Sequence, residues 1–148
     1  MAVAERLPGL THIGLGYIAA ITSSAVETLA SKCRELEVIY MRGCPNVSNI
    51  TLEKIAEYCS KLEDLNVAEC PKVTCAGLTT LAIKCSKLNT VYADNRSEVM
   101  FESLEAKTLA KLFPHVSWEL SSEVIEEDVD EDEVDDDEVD DDEEAGEE

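Results

Sequence analysis

A spacing of 26 residues runs through this sequence and limits its fold more than any other feature. Cys33, Cys59 and Cys85 lie at that interval, and so do Cys44 and Cys70. The same interval places most apolar residues in shared columns. The columns are Leu10, Leu36, Leu62 and Leu88; Ile13, Ile39, Leu65 and Val91; Leu15, Met41, Val67 and Ala93; Ile21, Val47, Val73 and Val99; Val26, Leu52, Leu78 and Leu104; and Ala30, Ala56 and Ala82. A repeat of this length is typical of proteins built from stacked similar units.

Each unit contains two apolar patterns with different periods. The first, Leu62-x-x-Leu65-x-Val67, ends in the alternation of a short β-strand. The second is the i, i+3, i+4, i+7 stripe of an amphipathic helix, formed by Leu78, Leu81, Ala82 and Cys85. One strand and one helix cannot bury their apolar faces alone, so the units must stack on each other.

Start and stop signals separate the strand from the helix in each unit. Thr22, Ser48 and Thr74 share a column just before the predicted helices, where a side-chain oxygen can cap free N–H groups. Pro45 and Pro71 end the preceding strands, because proline donates no ladder hydrogen bond. The sequence therefore predicts an α/β solenoid over residues 7–120, with about four 26-residue strand–helix repeats and a parallel sheet lined by helices.

The most regular unit carries a family resemblance. From Cys59 to Cys85 it reads C-x-x-L-x-x-L-x-V-x-x-C-P-x-V-T-x-x-G-L-x-x-L-A-x-x-C. This pattern resembles the cysteine-containing class of leucine-rich repeat found in F-box/leucine-rich-repeat proteins and in the antagonist of mitotic exit network family. The resemblance covers residues 7–120, and repeats 33–58 and 59–84 fit it closely.

The first and last units depart from this pattern. Repeat 7–32 has Leu7 and Ile18 in the cysteine columns. After Ala93 no proline follows, and Asn95 and Arg96 replace the cysteine region. A strand pattern then restarts as Phe113-x-x-Val116-x-Trp118, which predicts a closing unit.

The resemblance implies a function in substrate recognition. F-box/leucine-rich-repeat proteins present substrates to a cullin-type ubiquitin ligase, so it implies a substrate-recognition or adaptor role in ubiquitin-dependent protein catabolism, with ubiquitin-ligase subunits as partners. The sequence contains no F-box. Either the protein acts without a ligase of its own, or a separate chain supplies the F-box, or the sequence is a truncated relative.

The six cysteines are predicted to be reduced, buried core residues. They form no Cys-x-x-Cys pair, and their spacings are not those of a tetrahedral zinc site, so no metal site is predicted. Free cysteine behaves as a small apolar side chain. Cys75 alone lies outside the columns, directly after the predicted cap Thr74, and a helix N-terminus lowers a thiol pKa. Cys75 is therefore the predicted reactive thiol.

No catalytic arrangement is predicted. His12 and His115 lie at opposite ends of the repeat array, and no Ser-His-Asp, Cys-His or complete phosphate-loop pattern occurs. The short Gly14-Leu-Gly16 run fits small residues on a strand. We expect a non-enzymatic protein without a cofactor.

The exposed face of the sheet is the predicted binding surface. If Leu36, Ile39 and Met41 point inward, the alternate residues of each strand point to the concave side. Solenoids generally bind through that side, and tyrosine and arginine are enriched in interface hot spots. The predicted protein-binding residues are Val38, Tyr40, Arg42, Asp64, Asn66, Thr90, Tyr92 and Asp94, with Ser117 and Glu119 on the closing strand.

Charge is divided unevenly along the chain. The sequence has 33 acidic and 12 basic residues and a net charge of −21. Residues 121–148 hold 19 of the acidic residues and no Lys or Arg, so the preceding part is close to neutral. Dense like charge with little apolar content cannot form a core, so residues 121–148 are predicted to be a disordered polyacidic tail.

Two interpretations of the tail stay open. It either keeps the protein soluble or binds basic partners such as histones, in the manner of a histone chaperone. Its charge repels phosphate, so neither direct nucleic-acid binding nor binding to an anionic membrane is expected. Residues 1–6 make a poor signal peptide and no apolar run is long enough to span a bilayer, so we expect a cytoplasmic or nuclear protein.

Overall fold

A computed structural model describes residues 6–93 and 104–119, and in this part of the chain five short strands form one parallel sheet. The strands pair in chain order from β1 to β5, each with the next. They are β1 (His12–Gly14), β2 (Val38–Tyr40), β3 (Asp64–Asn66), β4 (Thr90–Tyr92) and β5 (Ser117–Glu119). The predicted parallel sheet of successive units is confirmed. Three segments lie outside the described residues: 1–5, 94–103, which includes Asp94 of the predicted surface, and 120–148, which contains the predicted tail 121–148.

One helix follows each of the first four strands. The helices are α1 (Ser23–Lys32), α2 (Asn49–Tyr58), α3 (Cys75–Lys84) and α4 (Leu104–Leu112). None of the helices in the described ranges is long and apolar enough to cross a membrane.

The predicted capping residues occupy the N-cap positions of α1, α2 and α3. Thr22 Oγ1 accepts a hydrogen bond from the Ala25 N–H at 3.1 Å. Thr74 behaves differently, because its Oγ1 accepts from Asn49 Nδ2 of the preceding repeat at 2.8 Å. Residues of the same column thus have two roles: Thr22 caps its helix, whereas Thr74 joins two neighbouring repeats.

The core lies between the sheet and the layer of helices. The predicted inward columns of the second, third and fourth units are almost inaccessible, each at most 3% exposed: Leu36, Ile39, Met41, Leu62, Leu65, Val67, Leu88, Val91 and Ala93. In the first unit, Leu10, Ile13 and Leu15 are only partly buried. Their burial is lower because, within the described part of the chain, no earlier unit stacks on β1.

Polar side-chain contacts join neighbouring repeats. Asn49 Oδ1 accepts the Thr74 N–H at 2.9 Å, which completes a two-bond bridge between α2 and the start of α3. Gly77 allows this approach, since a Cβ there would lie 2.3 Å from Asn49 Oδ1. Ion pairs join Lys54 to Glu27 at 3.3 Å, and Lys61 to Glu35.

The turn after each of the first three strands contains a left-handed residue. Tyr17, Gly43 and Glu69 have φ values of 58°, 69° and 57°, and each lies at the same place in its repeat. The repeated turn therefore imposes this conformation whether or not the residue is glycine. At position 43 a Cβ would lie 2.4 Å from Cδ1 of the exposed Tyr17 ring, so a residue other than glycine would require this ring to move.

The closing unit follows the same geometry with different residues. Trp118 of β5 pairs in register with Val91, so it occupies the inward strand column. The Phe113 N–H donates a hydrogen bond to the Leu109 carbonyl at 3.1 Å. The column cysteine Cys85 makes the equivalent bond to the Leu81 carbonyl at 2.8 Å. Phe113 thus takes the place of the column cysteine, and Val116, which is 5% exposed, follows it in the core.

Candidate interaction surface

Two rows of outward-facing residues cross the five strands. The pairing register aligns the first residue of every strand in one row and the third residue in another, with the inward residues between them. We call the two rows together the concave face. Its residues are His12, Val38, Asp64, Thr90 and Ser117 in the first row, and Gly14, Tyr40, Asn66, Tyr92 and Glu119 in the second.

Two tyrosines are the most prominent apolar groups of the concave face. Tyr40 is 44% exposed and Tyr92 is 40% exposed, on strands separated by β3. Asn66 lies between them in the second row. The described structure therefore places two of the predicted residues, Tyr40 and Tyr92, where a partner can reach their rings.

Val38 differs from the expectation that it is exposed. It lies on the concave face between His12 and Asp64, yet it is only 8% exposed. It therefore contributes little surface to a partner.

Arg42 lies beyond the second row and is held by an ion pair that the sequence did not predict. Its Nη2 and Nε donate to Glu69 Oε1 at 2.7 and 3.2 Å. Glu69 is the left-handed turn residue of the next repeat, at the position of Gly43. The pattern of one repeat does not indicate this pair, because Arg42 and Glu69 belong to two different units.

Asp64 is the described concave-face residue with an unsatisfied buried atom. Its Oδ1 is inaccessible to solvent and has no hydrogen-bond partner among the described residues. Val38 and Thr90 are its neighbours in the first row. Two residues further along β3, Asn66 Oδ1 accepts the Ala68 N–H at 3.0 Å, which holds the Asn66 amide against its own strand.

The cysteines are free and buried, as predicted from their columns. Cys44 and Cys70 donate their S–H groups to carbonyls of the preceding repeat, Leu15 and Met41, both at 3.1 Å. Cys85 donates in the same way to the Cys59 carbonyl at 3.5 Å. The thiol thus combines a small apolar volume with a weak donor that satisfies a buried carbonyl.

Burial also suppresses ionisation of these thiols. Desolvation raises the pKa of Cys59 to about 12, with a smaller contribution from the neighbouring Cys85 and Cys33. Desolvation likewise raises the pKa of Cys70 and that of Cys85 to about 11. Since the thiolate is the nucleophile, these cysteines are protected from reaction at neutral pH.

The expectation of a reactive Cys75 is wrong. Cys75 begins α3, as predicted, but it is only 4% exposed. Burial is the largest cause that raises its pKa, and the carboxylate of Glu105 on α4 raises it further. An apolar groove of about 390 Å³ passes between α3 and α4, with Cys75 and Leu109 among its lining residues.

The histidines remain far apart in the fold. His12 lies in β1 and His115 just before β5, at opposite edges of the sheet. Within residues 6–93 and 104–119, no three His, Cys, Asp or Glu side chains are grouped to hold a metal ion.

Solved structures with a similar fold exist, although no protein-family model and no curated protein matches the sequence. The actin-binding site 2 (ABS2) of leiomodin-1 matches with a TM-score of 0.62 and 12% identity, over 82% of this chain and 76% of that one. The tropomodulin C-terminal domain of Caenorhabditis elegans matches with a TM-score of 0.64 and 14% identity, over 84% of each chain. The chain has a leucine-rich-repeat-like fold. At these identities the similarity shows the fold alone.

Proposed function

We propose that this chain is a non-enzymatic protein-interaction module that binds a partner through its concave face. The observation that carries the proposal is the pair of exposed rings of Tyr40 and Tyr92 on a parallel sheet that is otherwise well packed. Exposed aromatic residues at the centre of a surface are typical of interface hot spots. The stacked units provide the extended surface that repeat proteins use for binding.

Within this proposal, we infer a substrate-recognition or adaptor role like that of F-box/leucine-rich-repeat proteins. The support is the cysteine pattern from Cys59 to Cys85, whose members pack between repeats. Ubiquitin-ligase subunits are the partners this role requires. The leiomodin-1 structure is named for an actin-binding site, so actin is included among the partners to be tested.

The first test removes the side chains that project from the concave side. Replacing Tyr40, Arg42 and Tyr92 together by alanine is expected to abolish partner capture, because loss of a hot-spot anchor costs about 2 kcal/mol or more. The measurement is quantitative affinity purification from native cells, scored for ubiquitin-ligase subunits, histones and actin. The thermal midpoint should change little, since the two tyrosines are exposed and exposed substitutions usually stay within about 0.5 kcal/mol.

A triple variant on the helices serves as the matched control. Ile50, Ile83 and Lys84 are exposed on α2 and α3, and their replacement by alanine should leave capture unchanged. If the concave triple variant folds and keeps every partner, the binding surface lies elsewhere and the proposal is wrong.

The second candidate function is binding of basic proteins by the acidic tail. The observation in its favour is the concentration of 19 acidic residues, without Lys or Arg, in residues 121–148. Such a segment attracts histone-like partners by charge, and that attraction depends on ionic strength.

Deletion of residues 121–148 separates this function from the first one. A histone held by the tail should lose most of its affinity for the shortened chain. Its binding to the full chain should weaken steeply with salt, because the Debye length falls from about 10 Å at 0.1 M to about 3 Å at 1 M. A partner bound to the concave face should bind both chains almost equally in titration calorimetry. Histone binding that survives the deletion would eliminate the tail as the binding element.

A further inference from the structure

The outer edge of β1 presents backbone groups whose equivalents are paired in the strands that follow. The first residue of β2, β3 and β4 donates its N–H to a carbonyl of the preceding unit at 3.0 to 3.1 Å. The carbonyl of the third residue accepts from the preceding unit at 2.7 to 2.8 Å. In β1 the equivalent groups are the His12 N–H and the Gly14 carbonyl. Within residues 6–93 and 104–119 β1 pairs with β2 alone, so both groups point to an open edge that can accept another strand.

Two apolar side chains face the same edge. The column cysteines of later units donate their thiols to carbonyls of the preceding unit, at 3.1 Å for Cys44 and Cys70 and at 3.5 Å for Cys85. Leu7 and Ile18 occupy these columns in the first unit, so their side chains point toward the open edge. They are 50% and 41% exposed there, whereas the cysteines of these columns are buried. The open edge therefore combines two backbone groups with two apolar side chains.

The first unit is also poor in charge. Residues 7–26 contain no Lys, Arg, Asp or Glu, although these types make up 30% of the chain. The charged residues of residues 6–32 are Arg6, Glu27 and Lys32. Glu27 pairs with Lys54 of the next unit, on the side of α1 away from the open edge. A two-fold contact brings each charge close to its own copy, so in a chain with a net charge of −21 this uncharged surface is the one suited to self-association.

We propose that the open edge of β1 binds the same edge of a second copy of this chain. A two-fold axis at Ile13 makes the two β1 strands antiparallel, with His12 of one copy opposite Gly14 of the other. The His12 N–H of each copy then donates to the Gly14 carbonyl of the other. Gly14 has no side chain, and nothing lies within 4 Å of where its Cβ would be, so the opposite His12 ring has room. The same axis brings Leu7 of one copy toward Ile18 of the other.

This pairing joins the two sheets into one sheet of ten described strands. It places the acidic tails far apart, because each tail follows β5, at the edge opposite to β1. The inference goes beyond the proposed function, since it uses an edge of the sheet and leaves the concave face of each copy free. It holds whether or not that face binds a partner.

The test is sedimentation velocity of the full chain over a wide range of concentrations. The expected result is a reversible equilibrium between one chain and two chains. Larger species are not expected, because the two-fold contact uses the β1 edge of both copies and is closed. A chain that stays monomeric at millimolar concentration would overturn the proposal. Polymers that grow with concentration would also overturn it, because they are the product of head-to-tail stacking of β5 on β1.

A pair of matched variants locates the contact. Ile18→Glu should weaken dimerisation about tenfold or more, because it inserts a charge into an apolar contact. Ile83→Glu is the same change on α3, where Ile83 is 67% exposed, and it should alter dimerisation by less than about twofold. Thermal midpoints verify that both variants fold. Equal dimerisation of the Ile18→Glu variant and the unmodified chain would place the contact elsewhere and refute the proposal.

A backbone variant tests the hydrogen bonds separately. Proline has no N–H and is tolerated in an edge strand where that group faces outward. His12→Pro therefore removes the donor at the open edge without removing a bond between β1 and β2, and it should weaken dimerisation about tenfold or more. A folded His12→Pro variant that dimerises like the unmodified chain would refute the strand pairing.

Hydrogen exchange of the His12 amide shows what covers the edge. Its protection should rise with protein concentration, in step with the fraction of dimer, because the second copy accepts this N–H. Protection of the His12 amide that is independent of concentration in a monomeric chain would mean that another segment of the same chain covers β1, and it would overturn the proposal.

Discussion

Replacing Leu65 by alanine is expected to lower the free energy of unfolding by about 3 kcal/mol or more, as buried Leu-to-Ala changes commonly do. Leu65 is inaccessible to solvent and lies in the middle strand of the sheet, where both neighbouring units pack against it. Relaxation around the cavity is limited because the strands on either side hydrogen-bond to β3. Urea unfolding followed by circular dichroism measures the effect.

Leu104→Ala is the matched control for this change. The repeat placed Leu104 in the column of the buried Leu52 and Leu78, but in the structure Leu104 begins α4 and is 80% exposed, so the same atoms are removed without loss of burial. Its effect should stay within about 0.5 kcal/mol. Equal effects of the two substitutions would show that Leu65 is not in the core and that the register of β3 is wrong.

Alkaline pH is expected to unfold the protein through its buried thiols. The pKa values of Cys59, Cys70 and Cys85 are about 12, 11 and 11, against an ordinary value of 9.0. Below pH 9 the thiols are protonated in both the folded and the unfolded chain, so they do not lower the free energy of unfolding. Between pH 9 and 11 the unfolded chain loses these protons first, and stability falls by about 1.4 kcal/mol per pH unit for each thiol.

The contribution of one thiol is isolated by Cys59→Ala. In this variant the unfolding midpoint should fall less steeply between pH 9 and 11 than in the unmodified chain. Ionisation of tyrosines and lysines occurs in both proteins, so the difference between them reports Cys59. In parallel, a thiol reagent at pH 8 should label the native chain slowly and all six cysteines after denaturation. An unchanged slope, or rapid native labelling of Cys59, would contradict the buried position of this column.

The repeat itself made most of the fold predictable. The inward columns at Leu36, Ile39 and Met41 are buried and aligned in register with those of the next unit. A period of 26 residues predicts that these columns are buried, because each unit packs its apolar side chains against the equivalent side chains of the next unit. The concave face follows from the same register, since adjacent residues of a strand point to opposite sides.

Features that depend on contacts between units were not predictable from one unit. The burial of Val38 is not apparent from the alternating strand pattern, because Val38 faces the same side as the exposed Tyr40. The pKa of Cys75 is raised by burial and further by Glu105 of α4, and α4 belongs to the unit where the sequence pattern breaks after Ala93. The Arg42–Glu69 pair joins two repeats at a turn whose left-handed conformation is not apparent from a glutamate.

The width of the sheet sets a limit on what can lie across it. Five described strands at a spacing of about 4.8 Å give a strip about 20 Å wide. A fully extended segment advances about 3.3 Å per residue, so about six residues of a ligand span the whole strip. An extended ligand that lies across the strands therefore contacts the concave face through about six residues.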